Sequence, residues 1–338
     1  HNRDLGWAST VNLPDLADVY VLETDESGER YRFGDEWLEF ERGEVELDVR
    51  LVGRLRWGVA REWLRSVHGP AIRTDHGTYA LRYVGMGEIR QLEQFHRMNR
   101  ARTLDAWRDA MRMNAIPSLN YVYADREGHI GSFYNALSPV REPGWDWKAY
   151  LPGDRPELVW NEQRGFDDIP RVIDPPSGFV VSANHTPFRA TAPGEGPRAE
   201  DFPAESGFDL DMTNRGLRLL ELYGGDPSIT REEFHAYKYD KRYSPDADVH
   251  EVLAPVIAAS FAGEPRLEQA QALLAGWSRT VELEDRAAPV AVLTALPVIV
   301  AKRRGTGLLP DPLDTFRDAV ALLERTHGRI DPTWGEVN

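Results

Sequence analysis

The sequence predicts an α+β protein whose first half is rich in strands and whose second half is helical. Up to about residue 207, short apolar runs alternate with polar residues and are punctuated by Gly and Pro, as in half-buried strands. From about residue 208 onward, apolar residues recur near the 3.6-residue period of amphipathic helices. Strands and helices that are segregated along the chain favour the α+β class.

Four strand candidates precede residue 85. Residues 19–22 form an apolar run, and residues 31–40 interleave aromatic residues with acids. Residues 45–51 alternate strictly, which predicts a half-buried strand. Residues 79–84 lie between two glycines and are apolar or aromatic except for Arg82, which predicts a fourth strand.

Two helices and a hairpin are predicted next. Residues 89–113 carry two apolar stripes at helical spacing, and Thr103 is a candidate N-cap of the second helix. Residues 119–124 and 129–134 predict strands joined by a turn that ends in glycine. The proline-rich residues 139–178 predict a long ordered loop, and residues 178–184 predict a strand.

The second half predicts a series of helices. The candidates are residues 211–224, 230–238, 248–262, 265–277, 285–301 and 312–328. Residues 288–301, interrupted by Pro297, are the most apolar stretch, yet they are too short to span a bilayer and predict a core helix. We therefore divide the chain into a β-rich part, 1–207, with a helical insertion at about 89–113, and a mainly helical part, 208–338.

The composition narrows the classes of function. Hydrophobic residues make up 41% of the 338 residues and charged residues 28%, as in a globular protein. The net charge of −15 disfavours a nucleic-acid partner, because binding a duplex requires a basic face. The lack of cysteine excludes disulfides, thiolate catalysis and Cys-ligated zinc. No Walker or G-x-G-x-x-G loop occurs, and we expect no organic cofactor.

Three local motifs allow more than one interpretation. Asp15 and Asp18 are either solvated acids after the turn at Pro14 or oxygen ligands of a cation such as calcium. Asn184 is a turn residue, a glycosylation acceptor, or an amide donor to a developing oxyanion. His68, beside a Gly-Pro turn, favours a structural histidine over a base. These residues alone lead to a globular α+β protein with a candidate cation site.

The order of the motifs resembles the β chain of the penicillin acylase family of N-terminal-nucleophile hydrolases. The matching segments are residues 1–2 with 7–12, then residues 66–70, 120–128, 150–154, 174–184 and 215–219. Several of them are most similar to the cephalosporin acylase branch. The resemblance implies part of an αββα sandwich, followed by the helical second half.

The resemblance also implies an activity, namely hydrolysis of a non-peptide amide in a small N-acyl compound such as a β-lactam or an acyl-homoserine lactone. The family's nucleophile is an N-terminal Ser, freed by autoproteolysis of a zymogen, whose α-amine is the base. His1 is not such a nucleophile, so we expect both chain ends to be truncated and this fragment alone to be inactive. The expected partner is an α chain from the same precursor, and the expected location is periplasmic or secreted, with the cytoplasm left open.

Residue by residue, the resemblance assigns the oxyanion hole to the backbone N–H of Val11 and the side-chain amide of Asn184. Arg215 matches an arginine that supports this Asn and the neutral form of the terminal amine. The acyl pocket would include Ser9, Leu13 and Leu119.

A calcium site of some family members would also map onto this sequence. It would use Asp15, the carbonyls of Ala17 and Trp147, Asp18, and an acid at Asp209 or Asp211.

Two other classes of function stay open at this point. A catalytically inactive binding or structural homologue would share the fold and lack the nucleophile. A carbohydrate-active or sugar-binding β protein is suggested by ten Trp residues and many acids, but the helical second half argues against it.

Overall fold

Strands occupy the first part of the chain and helices dominate the second in the computed structural model, which describes residues 1–305 and 307–338. The chain folds as two units, one of residues 1–182 and 186–210, the other of residues 183–185 and 211–338. The α+β class is therefore confirmed. The predicted domain division itself stays a prediction.

The strands follow in chain order. They are β1 (Leu5–Thr10), β2 (Ala17–Leu22), β3 (Arg30–Phe33), β4 (Glu36–Glu39), β5 (Glu41–Val52), β6 (Leu55–Ser66), β7 (Gly69–Thr74), β8 (Gly77–Tyr83), β9 (Ser118–Asp125), β10 (Ile130–Ala136), β11 (Leu151–Pro152) and β12 (Arg171–Ile173). One sheet has the order β1-β9-β10-β12, and a second has the order β11-β2-β8-β7-β6-β5. β3 and β4 form a separate hairpin.

The helices also follow in chain order. They are α1 (Gln91–Arg100), α2 (Leu104–Met111), α3 (Asn214–Gly224), α4 (Arg231–Lys238), α5 (Asp248–Ala258), α6 (Pro265–Ala275), α7 (Ala288–Arg304), α8 (Pro312–His327) and α9 (Trp334–Val337). The predicted helices are confirmed with shifted ends, and α9 was not predicted. In the part of the chain that the structure describes, no helix combines the length and apolar character that a bilayer span requires.

The four-stranded sheet carries the predicted β9–β10 hairpin and has β1 at its edge. β1 runs antiparallel to β9, with Thr10 opposite Asn120. The core of this sheet forms where α1 and α2 pack on it, around the fully buried Trp107. Thr103 caps α2 as predicted, since its side chain accepts the N–H of Ala106 at 3.2 Å.

Residues 45–51 do form a strand, but the prediction that it is half-buried is wrong. Val45, Leu47 and Val49 are 43–47% exposed, although all three lie on the apolar face of β5. β5 is an edge strand that pairs only with β6, which leaves that face without a covering layer among the described residues of the first unit. The alternation of apolar and polar residues therefore predicted the strand correctly, but it did not predict how exposed the strand is.

The strand predicted at residues 178–184 is also wrong. Gly178 and Asn184 have φ of 74° and 58°, left-handed conformations that interrupt an extended strand. The N–H of Val181 donates to the carbonyl of Ala190 at 2.8 Å, and the segment belongs to none of the twelve strands given above. The segment is an ordered turn that ends at the candidate oxyanion residue.

Helices α5 to α8 form the core of the second unit. The exposed fraction is at most 1% for Val290 and Ala291 of α7 and for Phe316 and Leu323 of α8. Residues 288–301 therefore belong to a core helix, as predicted.

His68 lies in the core beside the six-stranded sheet, where it is fully buried. Its ring stacks on Tyr20 with centroids 4.0 Å apart, and its Nε2–H donates to the carbonyl of Gly153 at 2.8 Å. Burial disfavours the charged form and lowers the pKa of His68 to about 4. His68 is thus held as a neutral structural residue.

The buried imidazole makes the free energy of unfolding depend on pH. An unfolded His has a pKa near 6.5, so between about pH 6.5 and pH 4 the unfolded state binds a proton that the folded state excludes. Stability should fall by up to about 3 kcal/mol as pH drops through this window. Urea unfolding at several pH values should show this fall in the free energy of unfolding in the native protein. The control variant His76→Gln, which changes an exposed histidine, should show the same fall. If the free energy of unfolding of His68→Gln falls equally with pH, His68 is not the source of the pH dependence.

Candidate active site

The end of β1 is fixed by a buried amide network. The side-chain Nδ2 of Asn12 donates to the carbonyl of Asn135 at 2.9 Å, and its Oδ1 accepts from the Ser118 hydroxyl. The hydroxyls of Thr10 and Ser182 hydrogen bond at 2.7 Å. These contacts on both sides fix the backbone at Val11, whose side chain is 60% exposed.

Residues 183–185 form a strained turn in the second unit. Asn184 has φ of 58°, a left-handed conformation that Asn adopts more readily than other residues with a side chain. The N–H of Ala183 donates to Nδ1 of His185 at 3.1 Å. The turn therefore presents the Asn184 side chain from a backbone held by its neighbours.

The N-terminus of α3 secures this turn through Thr213. The Thr213 hydroxyl donates to the carbonyl of Ala183 at 2.8 Å and accepts the N–H of Gly216 at 3.0 Å, so it is both the N-cap and the tether. A Cβ at position 216 would lie only 2.8 Å from Nδ1 of His185. The glycine thus allows α3 to approach the turn closely.

Arg215 orients the carboxamide of Asn184. Its Nη2 donates to Oδ1 of Asn184 at 2.6 Å, a charge-assisted bond. A cation in the first turn of a helix opposes the helix dipole, so this position does not favour the helix itself. With Oδ1 accepting from Arg215, the Nδ2–H donors are at the other end of the same carboxamide.

The predicted catalytic residues are thus partly brought together. Asn184 and Arg215 are in direct contact. Val11 belongs to the first unit and Asn184 to the second, and their convergence on one oxyanion stays a prediction.

The predicted acyl-pocket residues all lie near β1 or β9. Ser9 is exposed on the edge strand, Leu13 is 62% exposed, and Leu119 packs half-buried against the core around Trp107. A cavity of about 570 Å³ in the first unit is lined by other residues, including Arg65, Tyr83 and Trp160. The acyl-pocket assignment stays a prediction.

The candidate calcium ligands surround an arginine. The Arg141 guanidinium donates to both carboxylate oxygens of Asp18, at 2.8 and 3.1 Å, and to Oδ2 of Asp15 at 3.3 Å. Burial raises the pKa of Asp18, and Arg141 and the indole N–H of Trp160 oppose that rise.

The structure gives the following places for the other predicted calcium ligands, and the calcium assignment itself stays a prediction. Ala17 begins β2. Trp147 places its ring over the Arg141 guanidinium, 5.3 Å from the centroid. The backbone N–H of Asp209 donates to the Tyr134 hydroxyl at 3.4 Å. Among residues 1–305 and 307–338, no group of three or more His, Asp or Glu residues is arranged to hold a metal ion.

Sequence reasoning missed several residues that shape these sites. Thr213 could have been found, because a threonine before a helical apolar run is a typical N-cap. Arg141 gave no local signal, since it lies in the proline-rich loop, 123 residues from Asp18.

A model of the family described as penicillin amidase matches residues 1–337. The chain belongs to the penicillin amidase family. This finding confirms the family resemblance, whereas the cephalosporin acylase branch stays a prediction.

Three curated relatives that are named as acylases match most of this chain. It is 27% identical to the penicillin acylase 2 proenzyme of Pseudomonas sp. (strain SE83), over 90% of this chain and 38% of that protein. It is 24% identical to the penicillin G acylase of Escherichia coli, over 94% and 37%. It is 25% identical to the acyl-homoserine lactone acylase QuiP of Pseudomonas aeruginosa, over 71% and 28%. The chain therefore spans less than two fifths of the length of these relatives.

A solved structure confirms the fold expected of this penicillin amidase family member. The thermostable penicillin G acylase of Alcaligenes faecalis superposes with a TM-score of 0.65, over 97% of this chain and 68% of that chain, at 17% identity. The expected N-terminal-nucleophile hydrolase fold is thereby confirmed.

The close approach of α3 to the turn predicts an unusual effect of a helix substitution. Gly→Ala inside a helix normally stabilises a protein by about 0.5–1 kcal/mol. Gly216→Ala should instead destabilise it, because the new methyl would press on His185 and, at 3.1 Å, on Met212. Gly276→Ala, at the C-cap of α6, is the control for an added methyl without a clash, since that methyl would meet no atom closer than 3.5 Å. Denaturant unfolding measures both, and a stabilised Gly216→Ala would contradict the packing described.

Proposed function

We propose that the protein containing this chain hydrolyses a non-peptide amide bond and transfers the acyl group of a small N-acyl compound to water. The observation that carries the proposal is the Asn184 carboxamide fixed by Arg215 at 2.6 Å, in a chain of the penicillin amidase family. Relatives named as penicillin acylases and acyl-homoserine lactone acylases support N-acyl β-lactams or acyl-homoserine lactones as the substrate class.

The acylation step uses a serine nucleophile that belongs to the whole enzyme and not to these 338 residues. Its Oγ attacks the amide carbonyl carbon while its own α-amine takes the hydroxyl proton. The carbonyl oxygen becomes an oxyanion, which accepts from the N–H of Val11 and the Nδ2–H of Asn184. The intermediate then expels the amine, which leaves with the proton from the ammonium, and an acyl ester remains.

Water completes the reaction by the same route. The α-amine takes a proton from the water as the water oxygen attacks the ester carbonyl carbon, and the same two donors hold the second oxyanion. The ester C–O bond then breaks, the serine Oγ takes the proton back from the ammonium, and the carboxylic acid leaves. Arg215 acts as a positioning residue, because it fixes the carboxamide. Its positive charge also disfavours the ammonium form of a nearby amine, which keeps the base neutral.

The remaining expectations complete this proposal. The whole enzyme is made as a zymogen that cleaves itself, and this part associates with an α chain from the same precursor. The proenzyme form of the Pseudomonas relative supports this view. We propose a periplasmic or secreted location. A catalytically inactive homologue is the alternative that the following experiment decides.

The test removes the carboxamide from the full-length enzyme. Asn184→Ala should lower kcat for hydrolysis of an N-acyl substrate by about 10²–10³-fold, with KM little changed, because the bond strengthens in the transition state. Asn161→Ala is a matched control, since Asn161 also accepts from an arginine, Arg82, at 2.7 Å and has no assigned role in the reaction.

Two results would contradict the proposal. Full activity of Asn184→Ala would remove the assigned role of the carboxamide. No amide hydrolysis by the native full-length protein across N-acyl β-lactams and acyl-homoserine lactones would favour the inactive homologue.

A further inference from the structure

We propose that the Arg141 guanidinium is the cation of the site formed by Asp15 and Asp18. This site therefore holds the surrounding chain segments together without calcium. The proposal concerns a site distinct from Asn184 and does not depend on the acylase activity. The proposal explains why Asp15 and Asp18 resemble calcium ligands and yet already receive hydrogen bonds from Arg141 of the same chain.

The guanidinium takes the oxygen atoms that a metal ion would need. Nε and Nη2 of Arg141 form a two-pronged contact with Asp18, while Nη1 contacts Oδ2 of Asp15 and the carbonyl of Glu205, each at 3.3 Å. The acceptors are thus carboxylates and a backbone carbonyl, the donor set typical of a calcium site. A planar cation with five N–H donors can satisfy the same set by hydrogen bonds.

Calcium does not fit beside this arginine. It requires six to eight oxygen ligands at about 2.3–2.6 Å. Both oxygens of Asp18 already accept from Arg141, and its Oδ2 also accepts the indole N–H of Trp160 at 2.6 Å. An ion bound to these oxygens would also lie within a few ångströms of the guanidinium, and the two positive charges would repel strongly in a buried place.

The surroundings indicate a permanent ion pair. The side chains of Arg141 and Asp18 are 1% and 0% exposed, and a buried charge is tolerated when it is paired and hydrogen-bonded. The Trp147 ring lies over the guanidinium and its indole N–H donates to the carbonyl of Glu142 at 2.9 Å, so the ring is held in place.

The ion pair joins segments that are distant in the sequence. It links residues 15–18, just after the β1 end, to the turn at 205–207, where the N–H of Asp15 also donates to the carbonyl of Gly207 at 2.8 Å. A cation in this place therefore has a structural role in the first unit. Removing it should loosen these segments and lower the Tm.

The first experiment uses the native full-length protein. Its Tm should be the same in EDTA and in millimolar calcium, and terbium should give no luminescence sensitised by the nearby tryptophans. A calcium-dependent Tm, together with a terbium signal that is lost in Asp18→Asn, would overturn the proposal.

The second experiment removes the internal cation. Arg141→Ala should lower the Tm by roughly 5 °C or more, since it leaves two acids unpaired, one of them fully buried. Calcium should then restore part of the loss and terbium should luminesce, because the vacated space lies among carboxylate and carbonyl oxygens. Neither response should appear in Arg141→Ala/Asp18→Asn.

Two further variants complete the test. Arg112→Ala breaks a two-pronged pair with Asp167 that is 40% and 48% exposed, and it should lower the Tm much less and gain no calcium response. If Arg141→Ala does not fold, Arg141→Lys keeps the charge and should retain a Tm that is indifferent to calcium. An Arg141→Lys protein that requires calcium would overturn the proposal.

Discussion

The hydrogen bond from Arg215 to Oδ1 of Asn184 holds the acceptor end of the carboxamide that we propose as an oxyanion donor. A free amide could rotate and present its acceptor, which would repel an oxyanion. The charged donor holds the acceptor end, so the N–H donors point the other way. Thr213 supports this arrangement by capping α3 and holding the carbonyl of Ala183 with the same hydroxyl. Preorganised donors of this kind stabilise charge as it develops and need no rearrangement during the reaction.

Arginine performs two different tasks in this chain. Arg215 is exposed in the first turn of α3, where its charge opposes the helix dipole, and its partner is a neutral amide. Arg141 is buried and faces carboxylates, so its charge is largely neutralised by its partners. The first arrangement suits a site that meets a transient anion, whereas the second suits a permanent structural contact.

The parts of the fold that depend on neighbouring residues could be predicted from the sequence. The β9–β10 hairpin, the Thr103 cap and the helical series follow from turn chemistry, capping and periodicity. The exposure of Val45 and Leu47 could not be predicted, because burial depends on what covers a strand. The pairing of Arg141 with Asp18 joins residues far apart in the chain. At the candidate active site, Asn184 and Arg215 were predicted from the family resemblance, and only the structure shows that they are in contact.

The most direct test of the central claim is a crystal structure of the full-length enzyme with a boronic acid bound covalently to its nucleophile as a tetrahedral adduct. We predict that one oxygen of the adduct lies about 2.7–3.1 Å from both Nδ2 of Asn184 and the backbone nitrogen of Val11, with Arg215 still bonded to Oδ1 of Asn184. An adduct whose oxygens lie beyond hydrogen-bond distance of Asn184 would contradict the account.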